Sequence, residues 1–359
     1  MRRRDVLTGV GLTTVAGAGF PKPALAQGVL ELKMVTDWPE GLPGLQASAV
    51  RLAETIGLAS GGRIKIEVFP AGTLVRPFET FDAVSAGVAE IFHSSPAYFD
   101  KKAPASSFFA NTVPFGFTAD ELFSWVHFGG GQELWDELYG RFNIKPLLCL
   151  STGAQMGGWF NKEIVSPDGF KGLRYRMPGL GGEVFRRLGA IVVLLPGGEI
   201  VPALKSGALD ASEWVGPWLD VVAGLHTAVG YYYYPGFHEP GSAEMLGINT
   251  RVWESLTPAD RGLVEAAAAA EYVRSLAEFN ANNALWLRKL RDDGAVKILS
   301  FDDSLLRAFH EVSKDVIAEI GAKDELTRKI YASHQRFRAS IMDWSDVAER
   351  AFMNARKLA

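Results

Sequence analysis

The chain has 359 residues, with 41 acidic against 37 basic side chains and a single cysteine. The net charge of −4 at neutral pH disfavours nucleic acid and anionic membrane surfaces as partners, since both would repel an acidic protein. One cysteine excludes an internal disulfide and a cysteine-based zinc site, and the apolar run around Cys149 predicts a buried thiol.

Residues 1–26 have the pattern of an export signal. Three arginines precede a Gly- and Ala-rich apolar stretch, and small residues at Ala24 and Ala26 match the positions that a signal peptidase reads. The pair Arg3 and Arg4 also resembles a twin-arginine signal. A membrane anchor is the alternative, but roughly 15 apolar residues are too few to span a bilayer. We therefore expect cleavage after Ala26 and a periplasmic chain of net charge −7, because the signal carries +3 of the total of −4.

The first elements of the mature chain predict a βαβ unit. A short strand is expected within residues 27–37, and apolar residues recur at helical spacing over residues 45–56. Apolar and polar residues then alternate over residues 64–68, as in a half-buried strand. This order favours two parallel strands joined by a helix.

Two segments of the chain resemble each other. Residues 79–90 and 199–210 have Glu, Ala and Gly at equivalent positions, and each follows a Pro-x-Gly turn. Each ends in a glycine that can cap a helix, followed by a short strand and a loop with proline and an aromatic residue. Coincidence between two ordinary α/β segments is the alternative. A true repeat predicts two α/β lobes whose loops, at residues 94–98 and 213–218, face each other across a ligand-binding cleft.

The C-terminal part of the chain is predicted to be helical, over residues 259–291, 302–320 and 324–357. We expect the last helices, within residues 300–359, to brace the lobes or to mediate a dimer. The predicted domains are lobe I (residues 27–150 with part of residues 240–300) and lobe II (residues 151–239).

Gln155 lies in a glycine-rich segment directly after an apolar strand expected at residues 146–150. Glycine lets the backbone approach a ligand closely. The Gln side chain offers a carbonyl oxygen to a metal ion and an amide donor to an acid. A hydrogen bond that only braces the loop is the alternative interpretation.

Arg174 and Arg176 share one face of a predicted strand. Arg176 is nearer to the carboxyl end, where α/β sheets bind ligands, and a guanidinium there can hold a carboxylate through two hydrogen bonds. The glycines that follow lead into a helix whose N-terminal amides also favour an anion. We therefore predict Arg176 as a ligand-binding residue and Arg174 as a solvated charge.

Glu213 and Glu239 are candidate metal ligands. Glu213 ends an apolar strand, and a carboxylate buried there requires a cation or an arginine, with a salt bridge to a lysine as the alternative. Glu239 follows four consecutive tyrosines, of which two are expected to face the core and two the cleft or another layer. Together with Gln155 these residues supply hard oxygen ligands, which suit Na⁺, Ca²⁺ or Mg²⁺. His238 is expected to be structural.

Four segments together resemble the substrate-binding proteins of TRAP transporters (tripartite ATP-independent periplasmic transporters). They are residues 153–160, 176–182, 213–217 and 231–236, which read GAQMGGWF, RMPGLGG, EWVGP and YYYYPG. The resemblance covers nearly all of the mature chain. It is closest to the branch that binds 2-oxo acids or lactate together with a metal ion.

This resemblance implies a two-lobed α/β periplasmic solute-binding fold with a hinged cleft and long C-terminal helices. It implies a receptor without enzymatic activity that delivers a pyruvate- or lactate-like monocarboxylate to a membrane permease. Some members dimerise through a C-terminal helix, so a homodimer is a further expectation.

The resemblance also implies roles for individual residues. Arg176 would clamp the substrate carboxylate, and Tyr98 would reach the ligand from lobe I. Gln155, Glu213 and the backbone carbonyl of Trp214 would hold the metal ion, and Glu239 would complete the site. The carboxylate and the 2-oxygen of the substrate would chelate the same ion.

The charges expected at this site favour Ca²⁺ over Na⁺. Glu213, Glu239 and one substrate carboxylate are anionic, whereas Arg176 contributes a single positive charge, so a divalent ion neutralises the set. Na⁺ suffices if Glu239 is not a direct ligand.

A periplasmic metal-dependent enzyme is the alternative function. It would need an open coordination position with a base beside it, for which His238 is the sole candidate that the sequence offers. No Ser-His-Asp order, phosphate loop or metal-hydrolase motif supports that alternative.

Overall fold

The structure is a computed structural model, and it describes residues 28–358. The export signal predicted for residues 1–26 lies outside the described residues. Within them, none of the helices combines the length and the apolar composition that crossing a membrane requires.

The strands are numbered in chain order. They are β1 (Leu30–Thr36), β2 (Ile64–Phe69), β3 (Ile91–Ser94), β4 (Ile144–Gly153), β5 (Gly158–Phe160), β6 (Arg174–Arg176), β7 (Ile191–Val193), β8 (Ala211–Ser212), β9 (Tyr231–Tyr234), β10 (Ser242–Asn249) and β11 (Lys297–Ser300).

The α-helices fill most of the remaining chain. They are α1 (Leu45–Ala59), α2 (Thr80–Ser85), α3 (Ser106–Phe109), α4 (Ala119–Phe128), α5 (Gly131–Gly140), α6 (Gly179–Arg187), α7 (Gly197–Lys205), α8 (Pro217–Ala223), α9 (Thr250–Ser255), α10 (Pro258–Asp293), α11 (Asp303–Gly321), α12 (Glu325–Ser345) and α13 (Ala351–Ala355). Short 3₁₀ turns occur at Pro96–Phe99, Pro167–Phe170, Leu225–Thr227 and Arg356–Leu358, and a π-helical turn at Asp346–Arg350.

The strands form two sheets. Sheet I has the order β2-β1-β3-β10-β4, and sheet II has the order β11-β9-β5-β8-β6-β7. β1 pairs in parallel with β2 and β3, whereas β10 runs antiparallel to β3 and β4. The predicted α/β architecture with long C-terminal helices is confirmed.

The two sheets repeat one topology. In sheet I the unit β1-α1-β2-α2-β3 places β1 between its two parallel partners, and in sheet II the unit β6-α6-β7-α7-β8 does the same with β6. In each sheet the third strand of the unit pairs with an antiparallel strand. β10 lies beside β3 in sheet I, and β5 lies beside β8 in sheet II. Each unit is followed by a helical segment that begins with a proline, the 3₁₀ turn at Pro96 or helix α8 at Pro217. The sequence similarity between residues 79–90 and 199–210 therefore lies at equivalent positions of the two units.

Sheet I packs on α1 and α10 because each presents small or branched apolar residues to it. Ala49, Leu52 and Ile56 of α1 are buried, and Ala267 and Ala268 of α10 join the same core. The burial of Ala49, Leu52 and Ile56 agrees with the helical spacing seen in the sequence.

Helix α10 connects the two halves of the molecule. It has 36 residues and begins at Thr257, whose side chain accepts a hydrogen bond from the backbone of Asp260. In its first half, buried Glu271 accepts hydrogen bonds from Ser48 and Arg51 of α1. Farther along, Asn283 accepts a hydrogen bond of 3.0 Å from the backbone of Trp218 in α8. One continuous helix thus contacts α1 on the sheet I side and α8 on the sheet II side.

The C-terminal helices divide between the two halves. α11 packs against α6 on the sheet II side, and α12 packs against α3, α4 and α5 on the sheet I side. The helical segment expected over residues 324–357 consists of α12, a π-helical turn at Asp346–Arg350, α13 and a short 3₁₀ turn. Residues 351–358, beyond the π-helical turn, are exposed.

Candidate functional site

A small cavity lies where the ends of the repeated units meet. Its volume is about 20 Å³, which is room for about one water molecule. The lining residues are Trp38, Leu45, Ser95, Tyr98, Gln155, Arg176, Pro178, Glu213, Trp214, Val215, Glu239, Ser242 and Glu244. Larger grooves exist, such as one of about 670 Å³ beside α1, but the small cavity is where buried charged groups converge.

The lining side chains come from the carboxyl ends of the parallel strands. Tyr98 lies in the 3₁₀ turn after β3, and Arg176 ends β6. Glu213 and Trp214 follow β8, and Gln155 lies between β4 and β5. This is the edge at which open α/β sheets bind ligands.

Arg176 is almost completely buried, with 1% of its surface exposed. Its Nη1 donates to Glu213 Oε2 at 2.8 Å and to the Glu213 carbonyl at 3.1 Å, and its Nε donates to the Leu195 carbonyl at 3.2 Å. The guanidinium also lies 5.2 Å from the centre of the Trp214 ring. Its Nη2 has no hydrogen-bond partner within the described residues. A buried guanidinium with free donors is suited to bind a carboxylate.

Arg174 has a different environment on the same strand. It is exposed, and its guanidinium donates two hydrogen bonds to Asp210, of 2.7 and 2.6 Å. Arg174 lies at the start of β6, away from the cavity, whereas Arg176 lies at the end of the strand.

Three buried carboxyl groups face the same cavity. Burial raises the pKa of Glu213, and the charge of Glu239 raises it further, while Arg176 opposes both. Burial raises the pKa of Glu239 to about 7 and that of Glu244 to about 8. One guanidinium cannot balance three ionised carboxylates, so the arrangement favours a bound cation or protonated acids.

Gln155 presents its carbonyl oxygen without a protein partner. Its amide Nε2 donates to Thr152 Oγ1 at 3.1 Å, which fixes the orientation of the side chain. Gln155 Oε1 and Glu213 Oε1 are both buried and have no hydrogen-bond partner in the described part of the chain. Gly236 donates its backbone N–H to the backbone carbonyl of Gln155, and a Cβ at Gly236 would lie 2.5 Å from that backbone oxygen. The glycine is therefore required for this close approach.

Asp220 holds the loop that carries Glu213 and Trp214. Its Oδ1 accepts hydrogen bonds from the backbone of Val215 at 2.9 Å and of Gly216 at 3.0 Å. Its Oδ2 accepts from Trp159 Nε1 at 2.8 Å and from the Tyr232 hydroxyl at 2.7 Å. Four donors around one buried carboxylate fix the loop in a single conformation.

The opposite wall is aromatic. The Tyr98 ring lies 4.8 Å from the centre of the Phe78 ring and 6.2 Å from that of Trp38. Trp38 Nε1 donates to His93 Nδ1 at 2.8 Å. Burial raises the pKa of the Tyr98 hydroxyl, which keeps it a neutral hydrogen-bonding group.

The structure brings all the predicted site residues to one place. All of them line the cavity. Tyr98 follows β3 of sheet I, Arg176, Glu213 and Trp214 lie at the ends of β6 and β8 of sheet II, and Gln155 and Glu239 lie in segments that connect the two sheets.

The four tyrosines of β9 do not line the cavity. Tyr232 stacks on Trp159 with ring centres 3.9 Å apart, and Tyr233 stacks on Phe301 at 4.8 Å. Tyr234 is exposed. The tyrosines thus pack in layers on either side of the sheet rather than in the cleft.

Sequence reasoning missed Glu244 and Trp38 as lining residues. Glu244 lies in β10, whose residues are all buried, so a charged residue in an otherwise apolar strand was the available signal. The sequence predicts a structural role for His238, yet a nitrogen of its ring and oxygens of Glu213 and Glu239 lie within 4.8 Å of one another. Burial lowers the pKa of His238 to about 3, so the ring is neutral.

The donor set fits a hard cation. Carboxylate, amide and backbone carbonyl oxygens are the ligands of Ca²⁺ and Na⁺, and the unpartnered buried oxygens of Gln155 and Glu213 are oriented for that use.

Comparison with known proteins gives a consistent result. The sequence model of the family "Bacterial extracellular solute-binding protein, family 7" matches residues 34–324. A monocarboxylate 2-oxoacid-binding periplasmic protein of Nostoc is 36% identical, over 99% of this chain and 98% of its own.

Solved structures resemble the chain over nearly their whole length. A TRAP transporter solute-binding protein from Bordetella bronchiseptica, a dimer with copurified calcium and picolinate, has a TM-score of 0.89 at 35% identity over 92% of this chain and 98% of its own. A TRAP protein from Colwellia psychrerythraea with calcium and pyruvate has a TM-score of 0.88 at 32% identity, over 91% and 99%. One from Pseudoalteromonas atlantica with sodium and pyruvate has a TM-score of 0.88 at 31% identity, again over 91% and 99%.

Proposed function

The chain belongs to the family 7 bacterial extracellular solute-binding proteins, the periplasmic receptors of TRAP transporters, and from this we propose that its cargo is a small 2-oxo or 2-hydroxy monocarboxylate bound together with a cation. Members of the family are receptors rather than enzymes, so the alternative of a metal-dependent enzyme is not favoured. Delivery of the cargo to a membrane permease is part of the proposal.

The observation that supports the proposal is that one buried cavity contains both a hydrogen-bond donor and two acceptors without partners among the described residues. Arg176 Nη2 is a donor without a partner, and Gln155 Oε1 and Glu213 Oε1 are acceptors without partners among the described residues. A free carboxylate would satisfy the first, and a cation would satisfy the other two. Leaving all three unsatisfied in the bound state would oppose closure of the protein.

We assign the roles accordingly. Arg176 clamps the carboxylate of the cargo, and Tyr98 contacts the cargo from the sheet I side. Gln155, Glu213, the carbonyl of Trp214 and Glu239 hold the cation, to which the cargo adds its carboxylate and its 2-oxygen. Pyruvate fits this pattern, and so does picolinate in the Bordetella relative, because its carboxylate also lies beside a second donor atom.

The charge of the cavity favours Ca²⁺ over Na⁺. Glu213, Glu239 and Glu244 face a single guanidinium, that of Arg176, and the cargo adds one more negative charge. A divalent ion leaves a smaller excess of negative charge than a monovalent ion does, and buried excess charge is costly.

The proposal is tested with the mature protein stripped of metal by a chelator. Pyruvate, lactate and longer 2-oxo acids are added with Ca²⁺, with Na⁺ or with neither, and the melting temperature is recorded. A ligand that binds only the folded state raises it. We expect a rise that requires acid and cation together. A protein that binds none of these acids under any condition would contradict the proposal.

Two features of the whole chain belong to the same proposal. Residues 1–26 direct export and are removed after Ala26, and two copies associate through the C-terminal segment. Support for association comes from Trp344, Val347 and Phe352, which are 64%, 72% and 65% exposed. Exposed apolar groups of this kind mark protein contacts.

Light scattering after size exclusion tests this association. We expect a dimer for the mature chain and a monomer for a chain ending at Asp343, which lacks all three of these exposed residues. A monomeric mature chain would refute the dimer without affecting the binding proposal.

A further inference from the structure

His238 is a buried histidine whose ring makes no hydrogen bond. It is 0% exposed, and neither Nδ1 nor Nε2 has a partner among the described residues. A buried imidazole has one donor and one acceptor, and leaving both unsatisfied is unfavourable unless something else occupies them.

Its surroundings are unlike those of an ordinary core histidine. His334 of α12 is also buried with both nitrogens unpartnered, but it packs against the rings of Phe108, Phe117 and Trp125. His238 instead has a ring nitrogen within 4.8 Å of a carboxylate oxygen of Glu213 and one of Glu239. These are two of the residues that we propose as ligands of the cation.

The spacing is compatible with one shared ion. Two ligand atoms on opposite sides of an ion are separated by twice the metal–ligand distance, about 4.2 Å for nitrogen on zinc and about 5 Å for oxygen on calcium. The three atoms lie within 4.8 Å of one another, which is inside the limit for calcium, and a small inward shift of the side chains brings them within the limit for a zinc-sized ion.

The backbone makes room for this ring. A Cβ at Gly181 would lie 2.7 Å from His238 Cβ, so the first turn of α6 approaches the histidine only because residue 181 is a glycine. Behind the ring, Phe237 lies edge-on with centres 5.6 Å apart. The ring is therefore held beside the two carboxylates by close packing.

We propose that His238 is a nitrogen ligand of the cation site, so that the site accepts a first-row divalent transition ion in addition to Ca²⁺. The inference rests on the proposed cation site and extends it. Imidazole nitrogen suits Co²⁺ and Zn²⁺ better than Ca²⁺, and the affinity of a site with mixed nitrogen and oxygen ligands rises along the series from Mn²⁺ to Co²⁺. A set made only of oxygens would discriminate less strongly between Co²⁺ and Ca²⁺.

The first test uses the unmodified mature protein. It is stripped of metal, loaded with one equivalent of Mn²⁺ and examined by pulsed electron paramagnetic resonance with pyruvate present. We expect coupling from a directly bound ¹⁴N nucleus. Coupling from protons alone, with Mn²⁺ bound, would overturn the inference, and this result does not depend on whether any variant folds.

The second test compares metal affinities of the wild type and His238→Gln by calorimetry. We expect Co²⁺ affinity to fall at least about tenfold while Ca²⁺ affinity changes much less, because Gln keeps an oxygen donor but loses the nitrogen. His310→Gln, at an exposed position on α11, is the matched control and should change neither affinity. Equal losses of Co²⁺ and Ca²⁺ affinity, or none, would refute the nitrogen ligand.

The tests distinguish failure of the nitrogen ligand from failure of the proposed receptor function. If Ca²⁺ still supports pyruvate binding but Co²⁺ and Mn²⁺ do not bind, the receptor function stands and the nitrogen ligand is refuted. If the folded wild type binds neither ion nor pyruvate, both proposals fail together.

Discussion

Arg176 and Arg174 are two residues apart on β6, but their environments predict very different contributions to ligand binding. Arg176 is buried and keeps one nitrogen unpartnered, whereas Arg174 is exposed and already held by Asp210. Surface ion pairs contribute little, but a buried charged hydrogen bond contributes much to binding.

We expect Arg176→Ala to lose about 2–5 kcal/mol of binding free energy for pyruvate, or about 30-fold to several thousand-fold in affinity. Arg174→Ala is the matched control and should bind pyruvate almost as the wild type does. Calorimetric titration measures both. Because Arg176→Ala leaves Glu213 without its partner, a melting curve must confirm folding, and Arg176→Lys provides a second variant. Equal effects of the two alanine substitutions would show that Arg176 is not the clamp.

The carboxyl groups of the cavity predict how stability depends on pH. Burial raises the pKa of Glu239 from 4.5 to about 7 and that of Glu244 from 4.5 to about 8. Over this interval the folded protein retains protons that the unfolded chain has released. Without a cation, the free energy of unfolding should therefore fall as the pH rises from about 5 to about 8.

Melting temperatures of the metal-free protein across this pH interval measure the effect. Glu244→Gln should flatten the slope, because the substituted amide does not titrate. Saturating Ca²⁺ should flatten it as well, since the cation stabilises the ionised carboxylates. A metal-free melting temperature that stays constant, or rises, from pH 5 to pH 8 would contradict the expected titration.

At the scale of elements, the loop after β8 depends on a residue outside the cavity. Asp220 of α8 accepts hydrogen bonds from the backbone of Val215 and Gly216 and thereby sets the direction of the Trp214 carbonyl. Groups that orient metal ligands affect metal affinity without touching the ion.

We expect Asp220→Asn to weaken Ca²⁺ binding by about 10- to 100-fold. Asn can still accept from the two backbone amides, but its NH₂ group would face the donors of Trp159 and Tyr232. Calorimetry with Ca²⁺ measures the loss. Tyr232→Phe is the control, since it removes one donor to Oδ2 and leaves both backbone contacts. Unchanged Ca²⁺ affinity in a folded Asp220→Asn protein would show that the loop does not need this carboxylate.

At the scale of the whole molecule, the cavity is smaller than any cargo. A volume of about 20 Å³ cannot admit a three-carbon acid and an ion, so the halves must separate for entry. Helix α10 touches both halves, through Glu271 and through Asn283, and it keeps them connected during such a movement. Closure of two lobes around a bound ligand by hinge motion is common in proteins that bury a small ligand.

We expect small-angle X-ray scattering to record a smaller radius of gyration when Ca²⁺ and pyruvate are added together to the metal-free protein. Neither alone should give the full change, because each leaves part of the donor and acceptor set unsatisfied. The Arg176→Ala protein is the control and should not contract. A radius that is the same with and without ligands would argue against closure.

The sequence by itself determined the local elements and the residue types of the site. Periodicity identified β1, α1 and β2, and the resemblance between residues 79–90 and 199–210 indicated two similar units. Arg176 and Glu213 were identifiable because they lie at the carboxyl ends of predicted strands, and Gln155 because it lies in a glycine-rich segment after one, whereas the roles of Tyr98 and the Trp214 carbonyl came from the family resemblance. The spacing of apolar residues within a short segment indicates which of its residues are buried, and this spacing can be read without the rest of the chain.

Only the tertiary structure decided what meets at the cavity. Glu244 and Trp38 come from segments far apart in sequence, and they converge because the antiparallel strand β10 lies beside β3 in sheet I. The tyrosines of β9 pack in layers because sheet II is covered on both faces there, which no alternation within four identical residues can reveal. Nor could the sequence place the ring of His238 beside Glu213, since that contact depends on a glycine in α6 and on the crossing of separate elements. Which side chains share a site is a property of how chain segments cross, and their order along the chain does not fix it.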